Sequence, residues 1–196
     1  MSYSTLKFRQ YPEYTVYYSL FSDISVEKVK QVKQQIISGN LEYDYCYLSI
    51  KYIASIEVLS QAIYKAIQNY KNGVMKANTL NAEIILNLSP INNIADALKK
   101  FGIDDTRNEV LVVSILKSDQ VNDSNLQAIN QQLIEQFDIT SKQNIDLTDD
   151  LLYKQLDVQK FKKVYKLNDA VLSSNETELK FQLTRLAIGA CILRGL

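Results

Sequence analysis

The sequence predicts an α+β fold, a two-layer α/β arrangement with helices packed on a mixed or antiparallel sheet of about four to five strands. Segments with strand character are concentrated in the first 116 residues, and segments with helical periodicity dominate the rest, so the C-terminal half is expected to be helical. No internal repeat or long linker divides the 196 residues. This length suits one domain, which we expect to span 1–196.

Four segments are predicted to be strands. Residues 14–21 alternate, but both faces are partly apolar, which indicates a strand covered on both sides. Residues 110–116 are almost continuously apolar, as expected of a central strand. The other two are residues 43–53, which are β-branched and aromatic, and residues 83–88, where Ile, Leu and Leu alternate with Glu, Ile and Asn.

The helical segments have apolar residues at i, i+3, i+4 and i+7 and recognisable ends. Ser25 is a suitable N-cap, and Gly39 and Gly73 are placed to end the first two helices. The predicted helices cover residues 25–38, 55–72, 94–101, 125–137, a short stretch after Thr148, 158–167 and 176–193.

The central stretch NLSPINNIADALKKFGI, residues 87–103, is predicted to be a strand-to-helix junction. Pro90 ends the strand because it lacks a backbone N–H, and Asn92 or Asn93 caps the following helix. The stripe of Ile94, Leu98 and Phe101 is expected to face the core. Gly102 is expected to adopt the left-handed conformation after the helix.

The bulk composition argues against an autonomous nucleic-acid binder. Lys plus Arg and Asp plus Glu both number 22, and the pI is about 6.3. Proteins that bind nucleic acid alone usually carry a basic excess, because phosphate neutralisation supplies most of the non-specific affinity. Cys46 and Cys191 lie far apart in apolar surroundings, so buried thiols are favoured over a disulfide. With no signal sequence or membrane-length apolar run, we expect a soluble intracellular protein.

The residues needed for common catalytic sites are missing. The chain has no His, and its five glycines form neither a GxGxxG nor a phosphate-binding loop. Two carboxylate doublets occur, Asp104-Asp105 and Asp149-Asp150, and we interpret them as a turn after a helix and the first turn of a helix rather than as metal ligands. We therefore predict no catalytic, cofactor-binding or metal site, which makes an enzyme the weakest class of function.

The last helix is apolar on two opposite faces. Phe181, Ile188 and Ile192 lie on one of them together with Arg185. Such a helix must be buried on both faces, either as a central helix or between its own domain and another protein. We favour the second alternative, because a terminal helix of a small domain is seldom central. The opposite face comprises Leu179, Leu183, Leu186, Ala187, Ala190 and Leu193.

Three motifs resemble a known family. MKANTLNAEIILNLSPINNIADALKKFGI at 75–103, VYKL at 164–167 and LRGL at 193–196 are similar to the kinase-binding subunit of the KEOPS/EKC complex, the TPRKB/CGI family in its fungal form. The order of elements matches along nearly the whole chain. The first motif matches at Asn92, Asn93, Ile94, Leu98, Phe101 and Gly102, the second at 165–167, and the third at Arg194 and Gly195.

The resemblance implies a two-layer α/β fold and a non-catalytic subunit without cofactors. Such a subunit docks on the N-lobe of a small atypical PRPK-type kinase/ATPase and stimulates it. With a carbamoyltransferase subunit, the complex makes N6-threonylcarbamoyladenosine next to the anticodon of tRNA, and family members help to hold the 3′ CCA end. Fungal complexes are also linked to telomere maintenance and transcription, so nucleus and cytoplasm are the expected compartments.

The site predictions combine this resemblance with the two-faced helix. The kinase-binding surface is expected to consist of Phe181, Arg185, Ile188 and Ile192, extended by Tyr165 and Leu167. For tRNA we expect a modest patch of lysine and asparagine side chains: Lys65, Lys71, Lys76, Asn92, Asn93 and Lys99. The alternative is that the lysines are ordinary solvated residues on helix faces and that the asparagines form a solvated helix cap. Ala77-Asn78 stands where relatives commonly have Thr-Arg, which removes a bidentate phosphate contact.

Two other classes of function remain open. The first is an RNA-binding module that acts without a kinase, which tight tRNA binding by the isolated chain at physiological salt would favour. The second is an enzyme, which ATP turnover by the chain alone would favour.

Overall fold

The computed structural model of the chain describes residues 2–194, so Gly195 of the third motif lies outside the described residues. Packing groups these residues into two compact units. We call residues 2–49 and 103–146 the sheet unit, and residues 50–102 and 147–194 the helical unit. One domain over residues 1–196 stays a prediction.

The sheet unit contains a five-stranded antiparallel sheet, which confirms the predicted α+β class. The strands run in the order β1-β2-β4-β3, and β5 also pairs with β2. Their bounds are β1 Ser4–Leu6, β2 Tyr14–Phe21, β3 Cys46–Leu48, β4 Val110–Lys117 and β5 Asn144–Ile145.

Two helices complete the sheet unit, α1 (Val26–Ile37) and α5 (Asp123–Phe137). The register pairs Phe21 with Val110, and these two side chains share one buried cluster with residues of both helices. The side chains that point to the opposite face of β2 and β4 are buried as well, which confirms that β2 is covered on both sides: Val16, Leu20, Leu111 and Val113.

Six helices make up the helical unit in the described part of the chain. In this unit α3 packs against both α2 and α4, and α8 packs against α2. Their bounds are α2 Ile56–Lys71, α3 Leu80–Leu88, α4 Ile94–Phe101, α6 Asp149–Gln155, α7 Val158–Val164 and α8 Glu176–Ile192.

The predicted helix ends are largely confirmed. Ser25 caps α1 by accepting from the Lys28 amide at 3.2 Å, and of the two candidate asparagines Asn93 caps α4. Gly39 and Gly73 follow their helices with φ of +74° and +67°, the left-handed conformation that glycine adopts at low cost.

The strand predicted at 83–88 is wrong, because these residues belong to α3. Thr79 caps this helix by accepting from the Ala82 amide at 3.1 Å. Every residue from Glu83 to Leu88 is buried, so no exposed face reveals the helical period. The two polar positions read as one side of a strand are Glu83 and Asn87, which lie four residues apart on one side of the helix.

Three smaller predictions also need correction. Only residues 46–48 of the expected strand 43–53 are extended, because tight 3-10 turns occupy 41–43 and 50–52. Phe101 is buried as predicted, but Ile94 and Leu98 are exposed.

Gly102 is not left-handed, since its φ is −70°. A Cβ there would lie 2.5 Å from the Leu98 carbonyl oxygen, so close approach to the end of α4 requires this glycine.

Candidate protein-docking surface

The N-terminal end of α8 is fixed within the helical unit. Asn175 caps the helix by accepting from the Glu178 amide at 3.1 Å. The Lys180 ammonium lies 2.9 Å from Asp150 and 2.8 Å from Glu176, so it connects α8 to the first turn of α6. These two carboxylates raise the pKa of Lys180, which is therefore charged at neutral pH.

The inner face of α8 packs on the helical unit. Leu183 is 1% exposed, Ala187 is buried, and the Thr184 hydroxyl lies 2.9 Å from the hydroxyl of Ser55, the N-cap of α2. Of the predicted inner face, Leu183 and Ala187 are buried, Leu193 is exposed, and the other three are half-buried: Leu179, Leu186 and Ala190. The hydrogen bond and the buried side chains orient the helix about its own axis.

The opposite face of α8 is open along most of its length. Phe181 is 59% exposed and Ile192 is 65% exposed, whereas Ile188 is half-buried. The Arg185 guanidinium lies 5.0 Å from the centre of the Phe181 ring and 3.6 Å from Glu57. We call Phe181, Arg185, Ile188 and Ile192 the docking face. Because its large apolar side chains lie at helical spacing beside an Arg, this face is the candidate surface for a protein partner.

A groove of about 510 Å³ lies beside the docking face, between α8 and α2. It joins residues predicted for two different roles, because Ile188 and Ile192 line it together with Lys65 and Lys76. Lys71, Asn92, Asn93 and Lys99 are not among its lining residues. The remaining lining residues are Val58, Gln61, Ala62, Tyr64, Gln68, Asn69, Val74, Asn87, Cys191 and Arg194.

The structure removes Tyr165 from the predicted contact surface. Its side chain is 1% exposed, and its ring packs 4.4 Å from the Phe161 ring, centre to centre. Its hydroxyl donates to the carbonyls of Tyr52 and Leu88 at 3.1 and 3.3 Å. Tyr165 is therefore a core residue, and Leu167 is half-buried.

The residues predicted to bind tRNA are all exposed, but Asn93 already uses its side chain within the protein. Lys65, Lys71, Lys76, Asn92 and Lys99 are exposed. Asn93 is exposed too, but its side-chain carbonyl is used to cap α4 at 3.0 Å from the Asp96 amide. The groove brings two of these lysines, Lys65 and Lys76, to one cavity.

The two carboxylate doublets have structural partners. Asp104 accepts from the amide and hydroxyl of Thr106, and Asp105 lies 3.1 Å from Lys33. Asp149 accepts from the Ile56 amide at 2.7 Å, and Asp150 pairs with Lys180. The interpretation as a turn and a first helical turn is confirmed.

Within residues 2–194, no group of three or more His, Cys, Asp or Glu side chains is placed to hold a metal ion. No helix in the same described range has the length and apolar character to cross a membrane. Burial raises the pKa of both thiols, to about 12 for Cys191, so neither is a thiolate at neutral pH.

Comparison with known proteins places the chain in a family. The model of the family described as "Kinase binding protein CGI-121" matches residues 21–195. The chain belongs to this family. The EKC/KEOPS complex subunit CGI121 of Debaryomyces hansenii is 45% identical over 196 residues, and the alignment covers all of both chains.

Other fungal relatives agree. The protein of the same name from Candida albicans is 41% identical over 202 residues, again with full coverage of both chains. That of Aspergillus fumigatus is 33% identical over 180 residues, which is 92% of this chain and 89% of its own. The family resemblance drawn from the three motifs is confirmed.

The sequence did not predict the contacts of two residues of this CGI-121 family member, Glu83 and Arg194, although Arg194 matches the third motif. Glu83 is fully buried and accepts from the Asn69 side chain at 2.6 Å and from the amides of Lys76 and Ala77 at 3.0 and 2.9 Å. Arg194 donates to the carbonyls of Leu86 and Ser89. One sequence feature could have identified Glu83: it is the only carboxylate in a mainly apolar segment, and a buried carboxylate is expected to have hydrogen-bonding partners.

Proposed function

We propose that this chain is a non-catalytic subunit of an EKC/KEOPS-type assembly and binds a small atypical PRPK-type kinase through the docking face. The observation that carries the proposal is the exposure of Phe181 and Ile192 on a helix whose other face is buried. The description of the family and the names of the relatives support the kinase and the assembly.

The docking face has the chemistry of an interface centre. Burying a large apolar side chain contributes about 1.5–3 kcal/mol, so Phe181 and Ile192 together supply an anchor of several kcal/mol. Arg185 stacks on Phe181 and adds a charged, directional group beside the apolar pair. Aromatic and Arg side chains are both enriched at protein interfaces relative to the rest of the surface.

Stimulation of the kinase follows from selective binding. If the docking face fits the active arrangement of the kinase N-lobe better than inactive ones, binding shifts the population toward the active state. The ratio of the affinities for the two states then sets the upper limit on the rise in ATP turnover, and no catalytic group from this chain is needed.

We further propose that Lys65 and Lys76 help to hold the 3′ CCA end of tRNA at the groove. The zero net charge means that most phosphate neutralisation comes from the partners. The tRNA is then modified by the assembly to N6-threonylcarbamoyladenosine next to the anticodon, with the carbamoyltransferase as an indirect partner. Roles in telomere maintenance and transcription, and a location in nucleus and cytoplasm, belong to the same proposal.

Introducing a negative charge at the apolar positions of the docking face tests the kinase contact. Phe181→Asp and Ile192→Asp are expected to weaken binding to the kinase by about a hundredfold or more, because each replaces an apolar anchor with a carboxylate that must lose its water at the contact. Since both positions are exposed, the thermal unfolding midpoint should move little. Ile188→Asp extends the test to the half-buried position.

The matched control is Ile37→Asp, at a position that is 78% exposed in the sheet unit. It should leave the affinity for the kinase unchanged. Wild-type affinity in both Phe181→Asp and Ile192→Asp would place the kinase elsewhere on the chain.

A separate test addresses tRNA. Lys65→Glu and Lys76→Glu are expected to weaken tRNA binding by the kinase-bound chain and to lower its salt dependence by about one counterion each. Lys142→Glu, an exposed reversal in the sheet unit, serves as the charge control. Equal losses in all three variants would indicate a general charge effect. Tight tRNA binding by the isolated chain would instead favour an RNA-binding module that acts without a kinase.

A further inference from the structure

The side chain of Arg194 lies at the end of α3, although Arg194 follows α8 in sequence. One terminal nitrogen donates to the carbonyl of Leu86 and, at 3.1 Å, to the carbonyl of Ser89. The other donates to the Asn87 side-chain oxygen at 2.5 Å. The last carbonyls of a helix lack partners within the helix and carry its negative dipole end, so a guanidinium is well suited to this place.

The acceptors of Arg194 belong to a buried polar network. Asn87 also lies 3.4 Å from Glu83, whose carboxylate holds the backbone amides of Lys76 and Ala77. The nearby thiol of Cys191, in the last turn of α8, donates to the Leu88 carbonyl at 3.3 Å. Two residues at the end of α8 therefore hydrogen-bond to the last turn of α3 and the residue after it.

These connections lie beside the docking face. Arg194 and Asn87 line the same groove as Ile188 and Ile192. Arg194 is two residues beyond Ile192, and with φ and ψ of −83° and 0° Leu193 already ends the helix. Together with the hydrogen bond of the Cys191 thiol, the contacts that Arg194 makes therefore restrain the last turn of α8, where Ile192 is exposed.

We propose that Arg194 is a positioning residue for partner binding: it fastens the end of α8 to the end of α3 and so holds Ile188 and Ile192 at the orientation that a partner recognises. This inference rests on the proposed function, since it assumes that the docking face binds the kinase. Arg194 itself needs no contact with the partner.

The geometry requires arginine specifically. Its planar guanidinium reaches two carbonyls and a side-chain amide in fixed directions, whereas a lysine ammonium is a single point donor on a flexible stem. Burial lowers the pKa of Arg194, and the nearby Cys191 and Glu83 oppose that shift, so the side chain keeps its charge. A lysine at this position would retain the positive charge but could not donate to all three acceptors in these directions.

The test uses the full chain with Arg194→Gln and Arg194→Lys. Both variants are expected to bind the kinase about tenfold more weakly. In the free chain, both should lose hydrogen-exchange protection at the amides of residues 188–193, while the amides at the start of α8 keep theirs. Lys154→Gln, an exposed charge removal in α6, should change neither.

A double-mutant cycle with Ile192→Ala distinguishes positioning from direct contact. If Arg194 acts through the last turn of α8, the double variant should lose less binding free energy than the sum of the losses in Arg194→Gln and Ile192→Ala measured separately. Additive losses, full affinity in Arg194→Lys, or weaker binding with unchanged exchange protection would each overturn the inference.

The outcome is separable from that of the proposed function. If Phe181→Asp and Ile192→Asp bind the kinase normally, the docking face is wrong, whereas exchange protection still reports whether Arg194 fastens the helix. If those two variants fail to bind and the Arg194 variants bind normally, only the positioning role is wrong.

Discussion

Helices α3 and α8 both have apolar side chains on more than one side, but α3 is buried over most of its length whereas α8 leaves one face exposed. Helix α3 packs against α2 and α4, and every residue from Glu83 to Leu88 is buried. Helix α8 buries Leu183, Thr184 and Ala187 and leaves Phe181 and Ile192 exposed.

The difference shows what two-sided apolarity means in a small protein. Where a helix is fully covered, its polar residues must find partners inside, as Glu83 does with four donors. Where a helix has exposed apolar residues, that face is a candidate surface for binding another protein. The first arrangement makes the helix important for stability, and the second makes it important for binding.

The largest effect is expected from Glu83→Ala in α3. Removing the carboxylate leaves the amides of Lys76 and Ala77 and the side chain of Asn69 without their acceptor. At about 1–3 kcal/mol for each unsatisfied donor, the free energy of unfolding should fall by roughly 3 kcal/mol or more. Denaturant unfolding followed by circular dichroism measures it.

Glu83→Gln is the matched control, since it keeps the shape and one acceptor oxygen. Its loss should be clearly smaller than that of Glu83→Ala. Equal losses would show that the charge, and not the number of acceptors, stabilises the network.

A second prediction compares the two faces of α8. Leu183→Ala removes a fully buried side chain, so it should lower the free energy of unfolding by about 2–5 kcal/mol. Ile192→Ala, on the exposed face, should change it by less than about 0.5 kcal/mol while weakening binding to the kinase. A large loss of stability in Ile192→Ala would contradict the assignment of that face to a partner.

A third prediction concerns Tyr165. Tyr165→Phe keeps the ring packed on Phe161 but removes the donor to the carbonyls of Tyr52 and Leu88. Unfolding free energy should fall by about 1–2 kcal/mol, with the affinity for the kinase unchanged. Weaker kinase binding at unchanged stability would restore Tyr165 as a contact.

Sequence reasoning succeeded where one pattern had one physical meaning. Ser25, Gly39 and Gly73 mark helix ends because their caps and left-handed conformations are local properties. The two faces of α8 were predicted for the same reason, since helical spacing alone assigns Phe181 and Leu183 to different sides.

The failures come from residues whose surroundings are set by distant parts of the chain. Residues 83–88 fit a strand equally well, because burial on all sides hides the period, and a polar pair four residues apart imitates alternation. Arg194 finds its acceptors about a hundred positions away, at Leu86 and Ser89, and no local pattern predicts such a contact. Tyr165 was assigned to the surface by a motif that says nothing about burial.

The smallest effect is expected at the pair of Glu57 and Arg185, at the edge of the docking face. Both side chains are exposed and their charged atoms are 3.6 Å apart, so the pair should contribute less than about 1 kcal/mol to stability. Glu57→Gln should therefore leave unfolding unchanged within about 0.5 kcal/mol. Because the substitution releases Arg185, which stacks on Phe181, it should also raise the affinity for the kinase slightly at low salt if the guanidinium meets an acidic group there. A loss of affinity would mean that the partner recognises Glu57 directly, so that the docking face extends from α8 onto α2.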